Sequence, residues 1–228
     1  MSDWRNALVF NPASAVYISK IVGTLVYTRP YGLEGLDCLR TDAGFRVNRF
    51  GIVVGMQSVG TTGYNEYDIS SGFGFGIVKG FTGGVGVHTL IRNIPGYGLD
   101  LVPAFDCGVL GQSSTVRFGA AVLRLNKPEL DNGDVLMPKF RCGISWEPVK
   151  VALLAVDFEK HDEIERLMSG IELRIFPELK VRVGFETAPW CLRAGLGLNL
   201  NWLNVDYGYH YHPEIGDTHI IGMSFSWK

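Results

Sequence analysis

Apolar and polar residues alternate along most of this chain, and this period of two constrains the fold more than any other feature. In the last ten residues, one strand face takes the large apolar side chains Ile221, Met223, Phe225 and Trp227. The opposite face takes Ile220, Gly222, Ser224 and Ser226. Because neighbouring residues of a β-strand point to opposite sides, one side is apolar and the other mostly polar. This is typical of a strand that separates lipid from a wet interior.

The same alternation recurs in residues 67–77, 116–122, 139–146 and 194–211. It predicts an all-β fold, an antiparallel transmembrane β-barrel of about fourteen strands, with twelve as the alternative count. Short turns are predicted at Asn48-Arg49, Lys79-Gly80, Gly111-Gln112, Glu147-Pro148, Pro177-Glu178 and Trp202. Longer links, such as residues 29–35, 126–134, 159–163 and 187–189, alternate with these turns. In outer-membrane barrels the short turns are periplasmic and the longer loops face outward.

Composition favours short strands and excludes several other classes. Charged residues make up 19% of the chain and glycines number 29, as expected for strands joined by tight turns. A formal net charge of −2 gives no general attraction to nucleic acid, so no nucleic-acid partner is expected. No apolar run reaches the roughly 18–20 residues of a membrane-spanning helix. A membrane form of this chain therefore has to be a barrel.

The cysteines and the N-terminus add little about function. Cys38, Cys107, Cys142 and Cys191 lie far apart and lack the spacings of zinc sites. We interpret them as unpaired small apolar residues, although their even number also permits two disulfides. Residues 1–5 lack the apolar core of a signal peptide, so we expect that a leader has been removed or that the start is truncated or unusual.

Nine charged residues fall on the predicted inner face of the barrel and form a candidate lumen-lining set. They are Lys139, Arg141, Glu172, Arg174, Lys180, Arg182, Glu186, Arg193 and Asp206. These side chains could line a path for solutes. Mixed signs on neighbouring strands could instead pair across the lumen and close it, and we favour this structural interpretation.

Other polar patterns give weaker indications of chemistry. His210 and His212 fall on one strand face, where neutral imidazoles could bind zinc, copper or nickel, but histidines of a wet outer loop are the favoured alternative. His219 falls on the opposite face, which weakens a metal site. No helix follows the glycine-rich residues 72–76 to bind phosphate, and no nucleophile motif is present. The sequence thus predicts no metal, no cofactor and no enzymatic activity.

Several motifs resemble a known group of barrels. Phe10-Asn-Pro-Ala-Ser14 resembles the N-terminal motif of the long-chain fatty-acid transporter (FadL) superfamily of fourteen-stranded barrels. Further segments look like the PorV/PorQ-like branch of that superfamily: residues 84–92, Pro95-Gly-Tyr97 and residues 104–110, 155–160, 192–195, 205–209 and 216–219. The resemblance implies a bacterial outer-membrane protein. It also implies a reduced N-terminal hatch in residues 1–15, with the motif Asn11, Pro12 and Ala13, followed by a barrel in residues 16–228.

The C-terminal strand also resembles the signal that barrel-assembly machinery recognises. Gly222, Phe225 and Trp227 have matching offsets, whereas Lys228 after the aromatic residue is a departure. The expected partners are therefore outer-membrane lipid, the barrel-assembly machinery and other envelope or secretion proteins.

Two functions follow from the resemblance. The favoured one is a non-enzymatic barrel that serves secretion or cell-surface assembly through contacts with other envelope proteins, as in type IX secretion. The alternative is passive or facilitated uptake of hydrophobic small molecules, as in FadL-like proteins. Only ten residues precede Asn11 in this sequence, without the small-residue segment that the resemblance implies there, so we expect a reduced hatch. A soluble lipocalin-like barrel would reverse the observed pattern, with its apolar side inward.

Overall fold

The computed structural model describes residues 10–61, 64–94, 98–130 and 133–227. Within them, fourteen antiparallel strands form one closed barrel in which each strand pairs with its neighbours in sequence and β1 pairs with β14. The predictions of an all-β barrel and of fourteen strands are thereby confirmed. No helix in the described part of the chain is long and apolar enough to cross a membrane. Residues 1–9, residues 95–97 of the Pro-Gly-Tyr motif and Lys228 lie outside the described residues.

The strands are β1 (Ile21–Arg29), β2 (Asp37–Val47), β3 (Phe50–Thr61), β4 (Tyr64–Val78), β5 (Phe81–Ile94), β6 (Gly98–Gln112), β7 (Val116–Leu123), β8 (Lys139–Val149), β9 (Ala152–His161), β10 (Ile164–Arg174), β11 (Leu179–Thr187), β12 (Trp190–Leu200), β13 (Leu203–His212) and β14 (Gly216–Trp227). Two short 3-10 helices accompany them, Pro12–Tyr17 before β1 and Pro30–Gly32 after it.

The two ends of the barrel differ in their connections. The turn end holds the start of β1, the end of β14 and tight turns such as Asn48-Arg49 and Asn201-Trp202. The loop end holds the long connections of residues 30–36 and 124–138. Other links at the loop end, such as Asp162-Glu163 and Ala188-Pro189, are shorter than the sequence pattern predicted, because strands β9 to β12 extend almost to them.

Two predicted turns lie further along the chain than expected. The turn predicted at Glu147-Pro148 is Lys150-Val151, because β8 continues to Val149 through a register irregularity after Trp146. A bulge of this kind accommodates a proline, which cannot donate a ladder hydrogen bond. The turn predicted at Gly111-Gln112 occupies residues 113–115, because both predicted turn residues still pair with β7.

The barrel wall is apolar outside and polar inside. Leucines 196, 198 and 200 point outward with about half of each side chain exposed, and Trp227 is 72% exposed. Acidic and hydroxyl side chains are instead buried on the inner side, among them Asp106, Glu159, Glu186 and Ser224. Aromatic side chains gather on the outer wall at the turn end, where Trp202 stacks on Phe225 with ring centres 5.9 Å apart. This arrangement matches a wall in contact with lipid.

Candidate functional site

One side of the lumen is filled by residues 10–18, here named the plug segment. Its 3-10 helix is capped by Asn11, whose side-chain oxygen accepts from the backbone N–H of Ala13 at 3.0 Å. The Asn11 amide nitrogen donates to the carbonyls of Val109 and Ala120 at 3.0 and 3.2 Å. Asn11 is fully buried, so one side chain joins the plug segment to strands β6 and β7.

Inward glycines on five consecutive strands form a seat for the plug segment. They are Gly51, Gly74, Gly84, Gly108 and Gly119, on β3, β4, β5, β6 and β7. A Cβ atom at Gly51 would overlap the carbonyl of Ala15, and one at Gly84 would overlap the backbone of Ala13. The glycines therefore let the backbone of the plug segment lie directly against the wall.

The opposite side of the lumen, lined by β9 to β14, is the open half of the barrel. A cavity of about 540 Å³ lies there against β1 and β9 to β14, and one of about 440 Å³ lies beside it, reaching β8 and Phe10. The two cavities share the lining residues Ala155, Gly170 and Arg193, so they adjoin. Val26, Leu153 and Ile220 give the larger cavity an apolar surface.

All nine residues of the predicted lumen-lining set take part in ion pairs, which run along the inner wall from β8 to β13. Toward the loop end, the outer ion-pair row contains Lys139, Arg141, Glu159, Arg166, Glu186 and Arg193. Toward the turn end, the lower ion-pair row contains Glu147, Glu172, Arg174, Lys180, Arg182 and Asp206. Arg182 holds two carboxylates, Glu172 at 2.9 Å and Asp206 at 2.7 Å.

The pairing follows the wall instead of crossing the lumen. Glu159 on β9 pairs with Arg141 on β8 and Arg166 on β10, which are the adjacent strands. Arg182 reaches Asp206 across Gly197, because the intervening strand β12 has no side chain there. The sequence-based expectation that pairing closes the lumen is therefore not what the geometry shows, since both cavities remain beside the paired charges.

Sequence reasoning missed one of the two buried acids of the outer ion-pair row. Glu159 is 3% exposed and lies within reach of three cations: Lys139 at 3.5 Å, Arg166 at 3.8 Å and Arg141 in a direct hydrogen bond. The sequence pattern predicts a loop over residues 159–163, but β9 continues to His161. Extending the alternation of Leu153 and Asp157 by one step would have placed Glu159 inward.

A second missed cluster lies inside β2 to β6. His88 Nδ1 is 2.9 Å from Asp68 Oδ1, and its Nε2 is 2.8 Å from Asp106 Oδ2, although out of line for a hydrogen bond. Nearby, Arg40 holds Asp42 through two hydrogen bonds of 2.9 Å. Period-two alternation in this segment predicts that Asp68, Ser70, Gly72, Gly74 and Gly76 point inward. Single charges on separate strands, however, give no sign that they meet.

The histidines near the end of the chain are separated by the wall. His212 is buried and its Nδ1 accepts from the backbone N–H groups of Glu214 and Ile215. His219 lies outside, where its Nδ1 is 2.7 Å from the hydroxyl of Tyr207. Within the described ranges, no group of three or more His, Cys, Asp or Glu side chains is arranged to hold a metal ion. The cysteines there are all unpaired.

The residues of the predicted assembly signal lie in the strand that closes the barrel. β14 pairs with β1 from Ile21 opposite Trp227 to Arg29 opposite His219. Phe225 and Trp227 are exposed on the outer wall at the turn end, and Gly222 lies on the inner face beside Asp206. Recognition of these residues by assembly machinery stays a prediction.

Comparison with known proteins identifies the fold. No family model matches the sequence, and no curated protein matches it. Among solved structures, the "CymD monoaromatic hydrocarbon channel" is similar with a TM-score of 0.67 and 11% identity, covering 97% of this chain and 92% of that one. The "TodX deltaS2S3 mutant monoaromatic hydrocarbon channel" has a TM-score of 0.69 and 8% identity, covering 97% and 94%.

The chain has the fold of these channels. At identities this low the likeness concerns the fold alone, and it agrees with the fourteen-stranded barrel that the FadL resemblance implied. It does not distinguish a PorV/PorQ-like branch.

Proposed function

We propose that this protein is a non-enzymatic, passive channel of the bacterial outer membrane that admits small hydrophobic molecules. The observation that carries this proposal is the open half of the lumen, where adjoining cavities of about 540 and 440 Å³ lie inside a closed barrel. The apolar outer wall supports a membrane location. The fold likeness to two monoaromatic hydrocarbon channels supports the class of solute.

The lining of the larger cavity suits molecules with an apolar body. Val26, Leu153 and Ile220 contact the cavity on one side, and the Arg182 to Asp206 ion pair borders it on another. The charged side chains along the wall are paired with one another. An apolar solute can therefore pass them without the cost of desolvating an unpaired charge.

The path for such a solute runs along the lumen. β3 pairs with β2 from Val47 opposite Phe50 to Asp37 opposite Gly60, and with β4 over Phe50 to Thr61, without a register shift. The shifts in the described ladders lie at Gly76/Val78 and at Trp146/Val149, both near the turn end. We therefore assign passage to the lumen and not to a lateral opening in the wall beside β3.

We interpret the plug segment as the described part of the reduced hatch that the resemblance predicts in residues 1–15. The glycine seat and the buried hydrogen bonds of Asn11 hold the plug segment against the wall. The plug segment would then act as a fixed partition that leaves only the opposite side of the lumen for passage. A role in type IX-like secretion has no support in the fold comparison and stays a sequence-based prediction. Recovery of secretion components with the tagged protein from native envelopes would be its direct test.

The proposed passage is tested by narrowing the open half. Ala155 borders both cavities, so Ala155→Trp places an indole in the lumen, whereas Val156→Trp places the same group on the lipid-facing wall of the same strand. The protein is produced in bacteria whose lipopolysaccharide outer membrane slows hydrophobic solutes. Uptake of radiolabelled toluene is then measured.

We expect the unmodified protein and Val156→Trp to raise uptake equally above empty cells, and Ala155→Trp to reduce that gain at least fivefold. Heat-modifiable gel migration verifies that each barrel is folded. Equal uptake by empty cells and cells with the folded protein would contradict the proposal. So would full uptake through folded Ala155→Trp.

A further inference from the structure

A third pocket, of about 170 Å³, lies inside the barrel on the loop-end side of the Asn11 seat and is not needed for the proposed passage. Two of its walls have opposite charge. The acidic wall consists of Asp68, His88 and Asp106, and the basic wall consists of Arg124, Lys139 and Arg141.

The acidic wall keeps a net negative charge. His88 is 9% exposed and lies between the carboxylates of Asp68 and Asp106, with nitrogen to oxygen distances of 2.9 and 2.8 Å. A carboxylate oxygen beside each ring nitrogen favours the doubly protonated imidazolium. Even this cation neutralises one of the two carboxylates, so one negative charge remains. A carboxylate has more acceptor sites than the histidine uses.

The basic wall contains one cation, Arg124, whose side chain stands outside the ion pairs of the described barrel. Glu159 is the carboxylate that Lys139 and Arg141 share, at 3.5 Å from the Lys139 Nζ and in a direct hydrogen bond to Arg141. The guanidinium of Arg124 forms no ion pair or hydrogen bond with the residues that the structure describes. The positive charge of Arg124 therefore remains on this wall without a partner among the described residues. Like charges held together in this way repel one another unless an anion joins them.

The two walls are fixed close to each other. The backbone N–H of Arg124 donates to Asp106 Oδ1 at 2.8 Å. The residue that carries the unpaired guanidinium is therefore hydrogen-bonded to the acidic wall through its backbone. Arg40, also at the pocket, is neutralised by Asp42 and adds no net charge. Leu90, Ala104 and Leu123 supply apolar lining between the charged groups.

We propose that this pocket binds a small zwitterion, an amino-carboxylate whose ammonium group contacts Asp68 and Asp106 and whose carboxylate contacts Arg124 and Lys139. A simple anion would be repelled by the acidic wall and a simple cation by the basic wall, whereas a zwitterion matches both. Since a water molecule takes about 30 Å³ of liquid volume, the pocket has room for a molecule the size of alanine. This assignment is independent of hydrocarbon passage.

The test uses three probes of similar size on the whole protein in detergent: alanine, propionate and ethylammonium. Titration calorimetry is expected to give saturable binding of alanine, with propionate and ethylammonium at least tenfold weaker. Arg124→Gln and Asp68→Asn should each weaken alanine binding about tenfold, and Arg124→Lys should retain most of it. Lys160→Gln is the matched control, because Lys160 lies at the same end but pairs with Glu165 on the outer wall.

Propionate binding as tight as that of alanine, unchanged by Asp68→Asn, would show a simple anion site and overturn the proposal. Absence of alanine binding to a barrel with normal heat-modifiable migration would also overturn it. Ala155 does not line this pocket, so Ala155→Trp should still bind alanine. The zwitterion site and the hydrocarbon passage can therefore fail separately.

Discussion

The plugged side and the open side of this barrel have the same alternating sequence pattern with inward glycines, but their interiors differ. On β3 to β7, inward glycines such as Gly51 and Gly84 meet the backbone of the plug segment. On β12 to β14, Gly197 accommodates the Arg182 to Asp206 pair, and Gly208 and Gly222 border a cavity. An inward glycine thus provides space, and what enters that space depends on the elements that reach it.

The two sides are also held together by different forces. The plugged side relies on close backbone packing and on the buried hydrogen bonds of Asn11. The open side relies on carboxylates shared between arginines and lysines of adjacent strands, with Glu159 and Glu186 each only 3% exposed. Removing one shared acid on the open side should therefore lower the free energy of unfolding more than removing one contact of the plug segment does.

The largest effect is expected for Glu159→Gln, because it leaves Lys139, Arg141 and Arg166 close together without their common acid. Removing one partner of a buried ion pair typically costs about 3–5 kcal/mol. Guanidinium unfolding in lipid vesicles measures the loss. The control Glu165→Gln breaks the exposed pair with Lys160 and should cost less than about 1 kcal/mol. Equal losses for the two variants would show that the outer ion-pair row does not hold the open side.

The next largest effect is expected for Gly51→Ala, because the added methyl group overlaps the carbonyl of Ala15. Overpacking of this kind costs about 1–3 kcal/mol, and displacement of the plug segment should also raise the ionic current through a planar bilayer. Gly208→Ala on the open side meets Ile220 Cβ at an ordinary 3.4 Å and should leave stability within about 0.5 kcal/mol. An unchanged current and stability in Gly51→Ala would mean that the glycine seat is not required.

The smallest of these effects is expected for Asn11→Ala, which removes the cap of the plug helix and leaves the carbonyls of Val109 and Ala120 without their donor. The expected loss is about 1–2 kcal/mol, with faster hydrogen exchange in residues 12–17. Asn126 makes a similar pair of hydrogen bonds at an exposed site, to Phe105 and Pro103. Asn126→Ala should change stability by less than about 0.5 kcal/mol, since water can replace those bonds. A larger loss in Asn126→Ala than in Asn11→Ala would reverse this ranking.

Much of the inner and outer wall could be predicted because alternation is a local property of a strand. It placed Leu196 and Phe225 outside and Arg182 and Asp206 inside. It failed at Pro148, where β8 continues through an irregularity, and at Glu159, which was assigned to a loop. Proline and charged residues are ordinary signals of a loop in a sequence. Only the pairing with the next strand shows that β8 extends past Pro148 and β9 past Glu159.

The sequence by itself determined the class of fold, since a period of two with an apolar face and a polar face leaves a lipid-facing barrel as the stable arrangement. It also determined the inward face of most strands, with Glu159 as an exception. The tertiary structure decided which of them meet: Asn11 with the carbonyls of β6 and β7, and Asp68 with Asp106 through His88. These partners are separated along the chain by tens of residues or more, and strand register and barrel closure bring them together. The division of the lumen into a plugged side and an open side is likewise a property of the closed barrel.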